Sequence, residues 1–259
     1  MTHVLPPTQD RVGVSRWVRD PLPWAVAGLV GLAAGMPLLK PVFGAAFPTL
    51  DRPLYEQDSF LTLLGAHVTL VAVSSAGAFV LAFAAGWFVT RPSGAQFRPL
   101  VETGVAIGQT VPPVAVLALA VPMIGFGVWP ALLALTLYGL LPILRGTIAG
   151  IESVPSSTVE AAAGLGMNAW QRFVLAELPL AMPVLLAGVR TSVMVNIGTA
   201  AIAATVGARS LGSPIIVGLT GFNTAYVVQG ALLLAALSIV CDLMFDRVGR
   251  WLQRWNVRS

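Results

Sequence analysis

The sequence predicts an all-α membrane protein, a polytopic bundle of six transmembrane helices, and three observations predict it. First, 56% of the 259 residues are apolar and 10% are charged, with a mean hydropathy of +0.83, which excludes an ordinary soluble domain. Second, the apolar residues gather in six runs near the ~20 residues that a helix needs to cross the hydrocarbon core. Third, open sheets and loops standing in lipid leave backbone polar groups unpaired, which leaves a helical bundle. The net charge of +4 would suggest nucleic acid in a soluble chain. Here Lys40 is the one lysine among 15 basic residues, and the arginines sit mostly between the apolar runs, so basic cytoplasmic loops account for the charge and no nucleic-acid partner is expected.

Residues 1–23 are polar and carry Arg11, Arg16 and Arg19. No small-residue cleavage site follows the apolar run 24–39, so this run is expected to be an uncleaved first span. Gly31 and Gly35 form a GxxxG within it, suited to close packing on a neighbour. Residues 40–60, with Asp51, Glu56 and Asp58, form an outer loop. A second span covers 61–89 and ends at a basic turn with Arg91 and Arg98. The third, 100–126, is interrupted by Pro112, Pro113 and Pro122. A tight turn leads to the fourth, 128–144, so these two form an antiparallel hairpin. The fifth and sixth cover 178–206 and 225–245. The chain thus divides into a cytoplasmic segment 1–23, an additional first helix with its loop 24–60, a core 61–247 containing a cytoplasmic loop 145–178, and a cytoplasmic tail 248–259.

Arginine placement sets the orientation. With both termini inside, the inner segments hold eleven arginines (Arg11, Arg16, Arg19, Arg91, Arg98, Arg145, Arg172, Arg247, Arg250, Arg254 and Arg258) against Lys40, Arg52 and Arg209 outside. By the positive-inside rule both termini are expected to be cytoplasmic.

The stretch 157–179, STVEAAAGLGMNAWQRFVLAELP, is the one long polar-rich segment between apolar stretches in the second half of the chain. Ser157 and Glu160 have the spacing of a capping box and predict a helix start there. Val159, Ala161, Ala162, Ala163 and Leu165 form a short helix whose small side chains let another protein approach the backbone, and Gly164 and Gly166 end it. Asn168 caps a second short helix, in which Trp170, Phe173, Val174 and Leu178 share a face. Pro179 marks the start of the next span.

Several chemistries are excluded. A P-loop needs a lysine followed by Ser or Thr, and Lys40 is followed by Pro41, so this chain does not bind ATP through one. No HExxH or GxSxG is present. His3 and His67 lie far apart, and the lone Cys241 in an apolar run gives no disulfide and no metal cluster. No enzyme activity, cofactor or metal is expected. Arg190 lies about 12 residues into the fifth span, ~18 Å from its start at 1.5 Å per residue, and must face protein or water. Glu102 and Asp242 are its candidate partners, and a structural ion pair is preferred over a substrate contact. Gln109 and Asn196 either bond between helices or line a pathway. Pro112 and Pro113 either break a helix along a moving pathway or reflect the ordinary abundance of proline in membrane helices. Phe126, Trp129, Phe222 and Tyr226, near outer span ends, read as an interfacial belt, with cation–π capture of a quaternary ammonium as the sharper alternative.

The stretch 157–179 resembles the signature loop of permease subunits in binding-protein-dependent ABC importers: Glu-Ala-Ala, three residues, Gly, nine residues, Ile, one residue, Leu-Pro. Glu160, Ala161, Ala162, Gly166, Leu178 and Pro179 fall on that pattern, with Gly164 beside them, and Ala176 stands where the family usually has Ile. Residues 108–127, 178–216 and 221–233 resemble the osmoprotectant branch, which carries glycine betaine, choline, carnitine or proline betaine, and the likeness is most specific over 196–212. The additional first helix resembles a subset of that branch. The resemblance implies a type I importer permease of the MetI-like fold, paired with a second permease that is either a copy or a paralogue. It also implies ATPase subunits gripping the loop at Glu160 and its neighbours, and an extracytoplasmic binding protein supplying most of the selectivity. An amino acid or another small solute is the alternative cargo. A gradient-driven carrier is the alternative class, and it lacks the expected mid-depth carboxylate site.

Overall fold

In the computed structural model, residues 20–256 are described, with side chains to residue 252. The expectations for His3, Arg11, Arg16, Arg19, Arg258 and the side chain of Arg254 fall outside that range. Among the described residues the secondary structure is helical throughout. Helix α1, Pro21–Gly35, opens on Asp20, whose carboxylate accepts from Leu22 N at 3.1 Å. A tight 3₁₀ turn, Met36–Leu39, joins it to α2, Lys40–Ala46. The first span therefore runs Pro21–Ala46, longer at both ends than the run 24–39, because prolines at helix N-terminal positions sit without loss where N–H groups have no intrahelical partner.

Helix α3, Phe60–Val89, starts at Ser59, whose hydroxyl accepts from Thr62 N. The third span is broken. Helix α4, Arg98–Thr110, and α5, Pro113–Ile124, meet at 92°. Two successive prolines explain the break, since Pro113 lacks the N–H that would continue α4 and Pro112 is held out of the α region by the ring that follows it. Helix α6, Val128–Glu152, follows and extends two turns beyond the expected 128–144. Helix α7, Ser156–Gly164, and α8, Ala169–Arg172, occupy the polar stretch. A wide π turn, Phe173–Glu177, leads without interruption into α9, Leu178–Thr199, and a 3₁₀ extension, Ala200–Val206. Helix α10, Gly212–Thr220, lies between the expected fifth and sixth spans, and α11, Thr224–Asn256, is the last described element. Among the described residues five helices are long and apolar enough to cross a bilayer, and the bent pair, taken as one span, makes a sixth.

Helix α6 is the axis of the bundle: 56% of its apolar window is buried, against 17–33% for the other spans. In lipid, helices gain little from burying oil against oil, so close van der Waals approach decides the packing. The crossing of α6 and α9 shows it. A Cβ on Gly188 would come within 2.6 Å of the Pro142 carbonyl oxygen and 2.9 Å of Gly146 Cα, so small residues are required on both helices there. Further out, Ser192 Oγ donates to the Gly139 carbonyl at 3.0 Å and Asn196 Nδ2 donates to Ser75 Oγ at 3.1 Å. His67 is fully buried, with Nε2 3.1 Å from the Ile197 carbonyl oxygen, a hydrogen bond made within the bundle.

The additional first span is tied at both ends. Asp20 accepts from Arg247 of α11 at 2.7 Å. At the other end, the Gln229 side chain of α11 accepts from Tyr55 N at 3.1 Å and donates to the Pro53 carbonyl at 2.7 Å, and Asn223 donates to the Arg52 carbonyl at 2.8 Å. Tyr55 packs edge-on against Tyr226, ring centres 5.5 Å apart. Burial first, and then the charge of Asp58, push the Tyr55 phenol above its ordinary range.

Candidate functional site

The α7–α8 segment stands out from the helical bundle. Its start differs from the expected capping box. The helix begins at Ser156, and Pro155 is the N-cap without a side-chain hydrogen bond. The Pro155 carbonyl accepts from Thr158 N at 3.0 Å, so Ser157 lies inside the first turn rather than at its cap. The end is as expected and better defined. Gly166 has φ +80°, Gly166 N donates to the Ala163 carbonyl and Met167 N to the Ala162 carbonyl, the paired bonds of a Schellman stop.

Ala162 is turned into the protein at 5% exposure, whereas Glu160, Ala161, Ala163, Gly164 and Gly166 are exposed. Leu165 is 79% exposed at the tip. The free face is therefore small, apolar and bordered by one carboxylate, a surface onto which another protein can close tightly. Asn168 then starts α8 with the capping box that Ser157 lacks: Asn168 Oδ1 accepts from Gln171 N, and Gln171 Oε1 accepts from Asn168 N, both at 2.9 Å.

The predicted second short helix is not separate from the next span. The helix runs Ala169–Val206 through the π turn, and Leu178 and Pro179 lie just past it. A proline there removes an N–H from the ladder, and a wide turn sits where the ladder is already interrupted. Phe173 is buried, Val174 and Leu178 are partly buried, and Trp170 is exposed with its ring 5.8 Å from that of Phe173. Glu177 is buried and accepts from Arg91 Nη2 at 2.6 Å.

The candidate pathway residues separate into two groups. Gln109, Pro112 and Pro113 lie at the bend between α4 and α5, where Gln109 Nε2 donates to the Tyr138 carbonyl at 2.6 Å and the Tyr138 hydroxyl donates to the Val111 carbonyl. This side chain braces the kink. Arg190 and Asn196 lie on α9. Arg190 binds Asp242 (Nε to Oδ1, 2.9 Å) and Asp246 (Nη1 to Oδ1, 2.6 Å), so the ion pair expected with Asp242 forms and Asp246 joins it. Glu102 does not take part, because Arg98, one helical turn before it, accepts that role at 2.9 Å and also pairs with Glu152. Asn196 is fully buried at the α3–α9 contact. Of the four outer aromatics, Phe126, Trp129 and Phe222 are largely exposed, and Tyr226 is packed against Tyr55.

A feature that motif reading missed is the close approach of Gly212 to α9's extension. A Cβ there would fall 1.9 Å from the Ala201 carbonyl oxygen. The glycines at 207 and 212 within 196–212 were the available signal, since Gly207 also has φ +82°.

Residues 78–255 match the family described as binding-protein-dependent transport system inner membrane component. The chain is 39% identical over 216 residues to the osmoprotectant import permease protein OsmY of Salmonella typhimurium, covering 83% of this chain and 90% of that protein. It is 37% identical over 169 residues to the glycine betaine/carnitine/choline transport system permease protein OpuCB of Bacillus subtilis, covering 63% and 78%. Among solved structures, an inward-facing conformation of the MetNI methionine ABC transporter superposes with a TM-score of 0.66 at 24% identity, over 76% of this chain and 99% of that one. At that identity the likeness concerns the fold alone.

Proposed function

The chain belongs to the binding-protein-dependent transport system inner membrane component family, and from that premise we propose that it takes up a quaternary-ammonium osmolyte such as glycine betaine. It is a multi-pass inner-membrane permease subunit of an ABC importer, with the fold of the MetI-like permeases. An ATPase partner supplies the energy and a binding protein delivers the cargo. The gradient-driven alternative is set aside by this membership. The relatives' osmoprotectant, choline and carnitine names favour the osmolyte cargo over an amino acid.

The observation that carries the mechanism is the free face of α7, held out by Ala162 and the Schellman stop at Gly166. In the proposed reading this face, with Glu160, Ala161, Ala162, Gly164, Gly166, Leu178 and Pro179 shaping it, seats in the ATPase. Closure of the ATPase pair then turns the bundle from inward-open to outward-open. In this reading the cytoplasmic side is the side bearing α7, Arg91 and Arg98, and the bond between Asp20 and Arg247, which holds the two ends of the described chain together, supports both termini lying on one side of the membrane. Gln109, Pro112, Pro113, Arg190 and Asn196 keep their place as pathway candidates, with Arg190 and Asn196 contributing first to packing. The second permease is a copy or a paralogue of this chain. The test is reconstitution with the ATPase and binding protein: labelled glycine betaine should enter only when ATP is on the ATPase side. Stimulated hydrolysis without betaine uptake would move the cargo elsewhere.

A further inference from the structure

Helix α7 has little purchase of its own on the bundle. Its one buried side chain is Ala162, and the segment that follows reaches α9 through a π turn. A π turn opens the hydrogen-bond ladder, so it is the softest link between α7 and the span. Displacement of α7 would be absorbed there unless something bypasses it. Glu177, the last residue of that turn, is 6% exposed and is held at 2.6 Å by Arg91, which lies just after α3. The Arg91 guanidinium also rests 5.1 Å from the Phe173 ring centre and 5.7 Å from that of Trp87. Both ends of the π turn are thus fixed to one arginine at the inner end of α3. A buried carboxylate needs such a cation, and guanidinium stacks on aromatic faces as ammonium does not.

We propose that Arg91 and Glu177 form a clamp that bypasses the π turn and makes α3 and α9 move with α7 as one body. The two are positioning residues. They act through Phe173 and the inner end of α3. A cavity of about 510 Å³ between the clamp, Arg98, Glu152 and Val159 of α7 leaves α7 otherwise unsupported on that side. The inference rests on the reading of α7 as the ATPase-docking helix.

The test uses the assembled importer with its ATPase and binding protein, comparing Arg91→Ala, Glu177→Gln, Arg91→Lys and Glu160→Lys. Three quantities are read: ATPase retained on purification, binding-protein-stimulated hydrolysis, and uptake per ATP hydrolysed. Arg91→Ala and Glu177→Gln should keep the ATPase bound and hydrolysing while uptake per ATP falls about tenfold. Arg91→Lys, which keeps the charge and loses the stacked fork, should fall between them and the parent. Unchanged uptake per ATP in Arg91→Ala, or hydrolysis and uptake declining in proportion, would overturn the clamp while a transport-dead Glu160→Lys leaves the docking reading standing. Normal transport by Glu160→Lys would overturn the docking reading, and the clamp with it.

Discussion

At Gly188 the bundle has no room for one more carbon. Its missing Cβ would meet backbone atoms of Pro142 and Gly146 rather than flexible side-chain ends, so Gly188→Ala must separate α6 from α9. Overpacking of this kind costs about 1–3 kcal/mol, and the thermal midpoint of the purified protein in detergent should fall accordingly. Gln229 makes the complementary prediction for a polar contact. Gln229→Leu leaves Tyr55 N and the Pro53 carbonyl without their partner, at about 1–3 kcal/mol for buried groups. Limited proteolysis should then cut near residues 52–55 faster than in the parent. Residue-level legibility was uneven for a physical reason. The Arg190–Asp242 pair was readable because a charge inside a span must find an opposite charge. The clamp at Glu177 was not, since Arg91 lies 86 residues away in sequence and both residues looked like ordinary inner-loop charges. The proposed box at Ser157 failed because Pro155 starts the helix first.

Among the elements, α7 is the one whose backbone is most sharply specified. Gly166 sits at φ +80° and donates its N–H to Ala163, and proline can do neither. Gly166→Pro should therefore unwind the end of α7, leave the spans inserted and abolish transport. Glu160→Lys should insert normally and lose ATPase association. Co-purification of the ATPase separates these from a membrane-insertion defect. The spans were legible as elements because apolar length alone marks them. Their ends were not: α6 and α11 run on past the apolar stretch as amphipathic helix, and hydropathy does not see that continuation. Helix α10 was missed because it is nine residues long and leans on α11 through Gly218 and Gly230. A Cβ on Gly230 would fall 2.5 Å from Ile215, a close approach that only the folded pair reveals. The break between α4 and α5 was readable from Pro112 and Pro113, whereas its 92° angle depends on the brace from Gln109 and Tyr138.

For the whole molecule, the architecture reduces to a buried α6 axis, spans packed round it by small residues, and a loop that projects α7 away from the bundle. In the proposed reading that arrangement gives an ATPase partner one lever, with two attachments, forward into α9 and sideways into α3. The additional first span is sewn to α11 at both faces, which fits a supporting role beside the core rather than a place in the moving pathway. The most direct measurement is uptake of labelled glycine betaine into proteoliposomes holding this chain, its ATPase and its binding protein, with ATP supplied or withheld on the ATPase side. The account predicts betaine accumulation that requires ATP and the binding protein and vanishes in Glu160→Lys. Accumulation in the absence of the ATPase would contradict it.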